Sequence, residues 1–252
     1  MKWGTLYPAD YVNVLHSACR RNLTGAFRFV CLTDDARGLA DGIEAYPIPD
    51  LGLSPGMRKS GQWAKLGVYL PDLYGLSGRA LYIDLDMVIC GPLDGFFERP
   101  EPFISTDMGP DWRPNPTGRG PAEPGTCLFA FDIGEETQIL DRFLADRDKA
   151  VAEHVIEQVW VGAMARSMAF WPAGWVISFK RHLRQPIGLD LVLPPRAPPP
   201  GARVIAFHGV PRPADLLRPG RGHWDRFPHM GHGQVRWMVD YWVGNGGRLP
   251  VG

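Results

Sequence analysis

Apolar side chains at Val12, Leu15 and Cys19, spaced three and then four apart behind Pro8 and Asp10, predict an opening helix that ends near Asn22 or Gly25. The period then changes. FRFVCL (27–32) is a short unbroken apolar run stopped by Thr-Asp-Asp, which suits a buried parallel strand running into a loop. After a Gly/Pro/Ser loop at 52–61, helical spacing returns over 62–74 at Trp63, Leu66, Leu70 and Leu73, with Pro71 disturbing its last turn. RALYIDLDMVI (79–89) is a second buried strand, with two carboxylates at its end, and GTCLFAFD (125–132) a third. Between them, the proline- and glycine-rich stretch 100–124 must be irregular and is placed to cover a site. Helices are expected at 135–149 and 155–168, strands at 175–179 and 202–209, and a short helix at 235–243. Strands alternating with helices predict an α/β fold with a mixed, mostly parallel sheet and helices on both faces. Ligands bind such sheets at the carboxyl ends of the strands.

Composition narrows the class. The 252 residues carry 27 basic and 27 acidic side chains, so no basic excess is available to neutralise phosphates and a nucleic-acid binder is excluded. With 45% apolar and 21% charged residues the chain reads as one globular domain over 1–252. Cys19, Cys31, Cys90 and Cys127 are scattered without metal spacing and read as reduced core thiols. The chain reaches Asp10 without an apolar leader run, and its longest apolar stretch, 169–179, is broken by Pro172 and Gly174. No transmembrane segment and a cytoplasmic location are the expectation.

Asp84 and Asp86 leave the end of an apolar strand at i and i+2, which puts both carboxylates on one face. Such a pair can hold a divalent ion through oxygen while leaving coordination positions for a diphosphate. A triplet of this kind is weak by itself; its position at a strand terminus gives it meaning.

The run KLGVYLPDLYGLSGRALYIDLDMVICGPLDGFF resembles the central signature of GT-A fold glycosyltransferases, of the glycogenin and bacterial lipopolysaccharide galactosyltransferase kind. Lys65, Tyr82, Asp84, Asp86, Leu93, Asp94 and Phe97 occupy the signature positions. The resemblance implies a nucleotide-binding half over about 1–100 and a sugar and acceptor half over about 101–252. It implies that Asp84 and Asp86 bind Mn2+ or Mg2+ bridging the diphosphate of a nucleotide sugar, most naturally a UDP-sugar. Asp84 would also approach the ribose, and Lys65 would reach the donor, although a lysine snorkelling from a helix fits the same position. Thr33 and Asp34 would contact base or ribose, or cap the following turn.

In AFHGVPRP the residues Phe207, Gly209, Arg212 and Pro213 fall into the register of a late strand that supplies a third metal ligand in the family. The His is displaced by two positions, which keeps His208 on the same face, one rise further along. Arg212 would replace a lysine as phosphate contact. Glu157-Gln158 stands where the family has Asp-Gln beside the sugar, and Asp107 where it has an acid between donor and acceptor; Asp107 could equally cap a loop. Only a short segment precedes Pro8, so the first strand is unusually short or the start is late. Trp3 and Tyr7 are placed to stack on a base or to pack in the core.

The resemblance implies hexosyl transfer, with retention if the family's stereochemistry carries over, the departing phosphate then taking the acceptor proton; an inverting enzyme would instead need a general base, Asp107 or Asp132 first, and the sequence leaves the two open. The acceptor would be a surface saccharide or a lipid-linked one. An aromatic tail (Trp224, Phe227, Trp237, Tyr241, Trp242) offers peripheral membrane contact or ordinary core. Two rivals stand beside this reading: a non-catalytic nucleotide-sugar-binding protein of the same fold, and a haloacid-dehalogenase-like phosphatase in which Asp84 would be the nucleophile.

Overall fold

The computed structural model describes residues 1–60, 62–113, 120–218, 223–231 and 233–250; the middle of the proline-rich stretch, 114–119, lies outside them. Helix α1 (Ala9–Asn22) buries Val12, Leu15 and Cys19 as their spacing requires, with Asp10 in its first turn and Arg20 and Arg21 in its last, complementing the helix dipole. Strand β1 (Phe29–Leu32) pairs in parallel with β2 (Ile43–Tyr46). IEAY is too short and too polar to announce itself as a strand.

Helix α2 (Pro55–Lys59) is capped by the Ser54 hydroxyl, which accepts from the Met57 N–H at 3.3 Å. The helical spacing from Trp63 closes as a tighter 3-10 helix, Trp63–Tyr69, because Pro71 forces Leu70 into an extended backbone (φ −60°, ψ 137°).

The single strand expected over 79–89 is two. Strand β3 (Arg79–Ile83) ends at the aspartates, and β4 (Met87–Ile89) resumes in a different sheet. After α3 (Asp94–Phe97) come β5 (Phe103–Asp107) and the long β6 (Pro124–Asp132). Asp94 ties α3 to the end of α1 by accepting the Thr24 N–H and O–H at 2.9 and 2.7 Å.

The helix expected over 135–149 is broken in two, α4 (Gln138–Ala145) and α5 (Arg147–His154). Asp146 leaves helical geometry and caps α5 by accepting the Lys149 N–H at 3.0 Å. The helix expected from 155 begins later, as α6 (Glu157–Met164), because Val155 takes a positive φ of 51°. For a β-branched residue that is a strained conformation. Strands β7 (Ala169–Phe170), β8 (Val176–Ser178) and β9 (Val204–Ala206) and helix α7 (Arg236–Gly244) complete the chain.

One sheet has the order β3-β6-β5-β7 and a second β4-β9-β8. The sheets are mixed, but less parallel than strand and helix alternation led one to expect. Pairs β1–β2, β5–β7 and β8–β9 are parallel, whereas β3–β6, β5–β6 and β4–β9 are antiparallel. Between β5 and β6 the described residues hold only a three-residue 3-10 helix, Pro110–Trp112, and the two strands pair antiparallel. Alternation along β6 divides the core. Leu128 and Ala130 join α1 and α7 on one face, while Phe129 and Phe131 join Trp63, Phe143 and Trp160 on the other. Trp224 and Trp242 of the aromatic tail are buried and Trp237 and Tyr241 pack against the core; of these five only Phe227 is fully displayed, at 88% exposure.

Candidate functional site

The two sheets meet at Asp84-Leu85-Asp86. The Asp84 N–H donates to Cys127 O at 2.9 Å, extending the β3 ladder by one residue, and the Phe207 N–H donates to Asp86 O at 3.0 Å from the end of β9. Leu85 is buried in the core, so the flanking carboxylates turn the other way, into a cleft of about 230 Å³. The same cleft is lined by Lys65, Thr126, Glu157, Gln158 and His208, with Trp112 and Met108 on its far side. Five of the residues singled out from the sequence as metal, sugar or donor contacts, Asp84, Asp86, Glu157, Gln158 and His208, thus share one cavity, and Lys65 forms part of its wall.

Lys65 is 2% exposed, which excludes the snorkelling lysine. Its Nζ donates to Thr126 O at 2.8 Å and to Asp84 Oδ2 at 3.2 Å, stands 3.9 Å from Glu157 Oε2, and lies 5.0 Å above the Tyr82 ring. Burial works against its charge, but the Asp84 and Glu157 carboxylates outweigh that and hold its pKa above the ordinary lysine value. Glu157 is itself buried, accepts the Thr126 O–H at 2.9 Å, and is pushed by desolvation to a pKa of about 7. Asp86 is likewise raised to about 7, first by burial and then by the Asp84 charge, with the Tyr7 hydroxyl donating to it at 3.4 Å. One cation therefore faces three carboxyl groups. The excess of negative charge is what a divalent ion would offset.

His208 closes the opposite wall. Its Nε2 stands 2.7 Å from Ser178 Oγ, and its ring stacks on Trp112 at 5.8 Å. Burial first, then Lys180, Arg181 and Arg184, lower its pKa to about 4, so the imidazole is neutral at physiological pH, the state that coordinates metals. Yet among the described residues no group of three or more His, Cys, Asp and Glu side chains stands close enough to hold a metal ion. The donor chemistry of Asp84 and Asp86 fits a hard divalent cation, and the three predicted ligands line one cavity without forming a ready-made set.

Gln158 borders the cleft, and among the described residues its side-chain amide has no hydrogen-bond partner. Other sequence candidates fall outside the lining. Asp107 is a loop cap, accepting the Gly109 and Glu123 N–H groups at 2.8 and 3.0 Å. Thr33 closes a local turn with the Asp35 N–H at 3.1 Å, and Asp34 accepts the Gly4 N–H at 2.8 Å. Trp3 is 38% exposed near that turn. Arg212 lies over the Tyr7 ring at 5.8 Å, which places it beside Asp86 through Tyr7 rather than in the cavity.

Sequence reasoning missed Trp112, Met108 and Ser178. Trp112 lies in the proline-rich stretch with no periodicity around it; its one signal is a large aromatic residue in an otherwise polar loop. Ser178 could be seen only by pairing β8 with β9, where it sits opposite Ala206, two residues before His208.

An α/β core with acids at the carboxyl end of β3 and a loop folded over them defines a class: the chain has the fold of GT-A glycosyltransferases. It is similar to the galactosyltransferase LgtC, solved with donor and acceptor sugar analogs, at 12% identity and a TM-score of 0.56 over 97% of this chain and 93% of that one. It is similar as well to the glycosyltransferase GlyE of Streptococcus pneumoniae TIGR4 (13%, TM-score 0.57, 96% of this chain) and to the bifunctional WbbM (10%, 0.51, 96%). The chain spans 61% of GlyE and 48% of WbbM. No protein-family model and no curated protein matches the sequence. No described helix is long and apolar enough to cross a membrane.

Proposed function

We propose that the chain is a metal-dependent glycosyltransferase that moves a hexosyl unit from a nucleotide-diphosphate sugar, UDP-sugar first, to a saccharide or lipid-linked acceptor with retention. The observation that carries this reading is the single cavity that holds Asp84, Asp86, Glu157, Gln158 and His208 at the junction of two sheets. Mn2+ or Mg2+ held by Asp84 and Asp86, with neutral His208 facing the same space, would supply charge neutralisation to a departing diphosphate.

The rest falls to the chain. Lys65 fixes the Asp84 and Glu157 carboxylates and moderates their repulsion. Gln158 offers a free amide to sugar hydroxyls, and Glu157, whose pKa of about 7 lets it change protonation near neutrality, sits one residue before it to stabilise charge at the sugar. Tyr7 holds Asp86 in place. Tyr7, on Asp86, and Arg212, over the Tyr7 ring, lie beside the cleft rather than in its lining, and with Trp3, Thr33 and Asp34 of the N-terminal turn they would meet the nucleotide.

The test is incubation with UDP- and GDP-sugars and Mn2+, reading nucleotide release and donor binding together. Release that is lost in Gln158→Ala, with binding kept, supports transfer. Metal-dependent binding with no release in wild type would favour the non-catalytic binding protein.

A further inference from the structure

The cleft has two walls of opposite character. Asp84, Asp86 and Glu157 stand on one, with Lys65 among them. His208 and Gly209 stand on the other, and beside them the chain leaves β8 in a single π-helical turn, Phe179–Leu183, that carries Lys180 and Arg181. Such turns are rare, and they recur at functional sites. This one is fastened to the wall. The Ser178 hydroxyl accepts the Arg181 N–H at 3.3 Å while its oxygen stands 2.7 Å from His208 Nε2, and Arg181 Nε donates at 2.8 Å to the carbonyl of Trp112, whose ring stacks on His208.

Lys180 is half-buried, and its ammonium borders the cleft at Gly209: a Cβ placed on that glycine would stand 3.6 Å from Nζ. Among the described residues Nζ makes no hydrogen bond and no ion pair. The charges acting on it are those of Arg184, Arg181 and Arg226 and one carboxylate, Asp225, which Arg184 already takes at 2.8 Å. Arg181 likewise has no carboxylate partner among the described residues. Four cations and one acid are thus gathered beside one wall of the cleft, in a chain whose overall charge is zero. Like charges held together in a partly buried place repel one another, and an anion set among them relieves that repulsion.

We propose that the acceptor is anionic, carrying a carboxylate or a phosphate on or next to the sugar that receives the transfer, and that Lys180 holds this group at the Gly209 rim with Arg181 beside it. The inference rests on the transferase reading of the cleft: with the donor's diphosphate and its metal at the aspartate wall, the group that meets the opposite wall belongs to the acceptor. Lys180 supplies a flexible point charge suited to either anion, and Arg181, its Nε fixed on Trp112, keeps the remaining N–H groups of its planar fork for the same group. Lys180 is therefore a specificity-determining residue, which selects the acceptor and takes no part in breaking the donor bond.

The test reads sugar binding and donor binding on the same protein, with the methyl glycosides of glucose and galactose, their uronates and their phosphates as probes, and UDP- or GDP-hexose with Mn2+ as donor. In wild type the charged sugars are expected to bind about tenfold tighter than the neutral ones, the worth of one charge-assisted hydrogen bond. Lys180→Gln is expected to reduce that preference to about twofold or less and Lys180→Arg to keep it, with the donor Kd the same in both. Uronates ahead of phosphates would assign the anion as a carboxylate, and the reverse order as a phosphate. Charged and neutral sugars binding equally, or not at all, to protein that binds the donor would overturn the proposal. So would a Lys180→Gln variant that loses affinity for the donor, which would give these cations to the diphosphate. A charge preference that Lys180→Gln abolishes in protein that binds no nucleotide-sugar would keep the anion seat and refute the donor reading.

Discussion

Lys65 is the residue on which the cleft turns, because a buried ammonium holds two carboxylates that would otherwise face each other unpaired. Removing one member of a buried ionic group costs about 3–5 kcal/mol, since the remaining charges stay desolvated. Lys65→Met is therefore expected to lower stability by that order in denaturant unfolding, and Lys65→Met combined with Glu157→Gln to recover part of the loss. A Lys65→Met variant as stable as wild type would contradict the buried cluster.

The carboxyls also set a pH dependence. Asp86 and Glu157, both raised to about 7, bind more protons folded than unfolded between about pH 4 and 7, so their contribution to stability falls as pH rises through that window. His208, lowered to about 4, acts in the opposite sense, so the difference between variants is the clean readout. Without metal, the Tm of Asp86→Asn minus that of wild type should grow from pH 5 to 7.5; a constant difference would sink this assignment. Because Mn2+ would compete with the same protons, its stabilising effect should be larger at pH 8 than at pH 6.

Asp84 and Asp86 were legible from sequence because i and i+2 around a buried Leu85 must share a face. Glu157 and Gln158 required the resemblance, and Ser178 and Trp112 required the fold, since only pairing across β8 and β9 and closure of the loop bring them to His208.

At the level of elements, the site depends on how closely α6 lies on β6. A Cβ on Gly162 would come within 2.5 Å of the Pro124 ring, so the glycine admits the contact that sets Glu157 against Thr126. A mid-helix Gly→Ala change ordinarily stabilises by up to about 1 kcal/mol. Gly162→Ala is expected to do the reverse, lowering Tm and weakening donor binding together, and a rise in Tm would show that α6 is free to move.

The long apolar runs and the α1 periodicity gave their elements directly. What the pattern concealed were interruptions caused by single residues: Asp146 splitting a helix by capping its second half, Val155 delaying α6, and the two aspartates ending β3 so that β4 joins another sheet. Strand direction was equally hidden, because an apolar run such as β6 reads the same whether its neighbours are parallel or antiparallel.

For the whole molecule, the α/β alternation pointed to the right fold, while the mixed strand pairing emerged only in three dimensions. The N-terminal turn is part of the cleft's support, since the Tyr7 hydroxyl reaches Asp86 from it at 3.4 Å. The central claim is that Asp84 and Asp86 hold a divalent ion for a nucleotide-sugar. Thermal unfolding with UDP, GDP and their sugar conjugates, with and without Mn2+, tests it on wild type and Asp86→Ala. Ligand at a hundred times its Kd adds about 2.7 kcal/mol, a rise of roughly 5–10 °C for a chain this long. The account predicts a rise that needs Mn2+, favours one nucleotide and disappears in Asp86→Ala; no rise with any nucleotide in well-folded protein would contradict it.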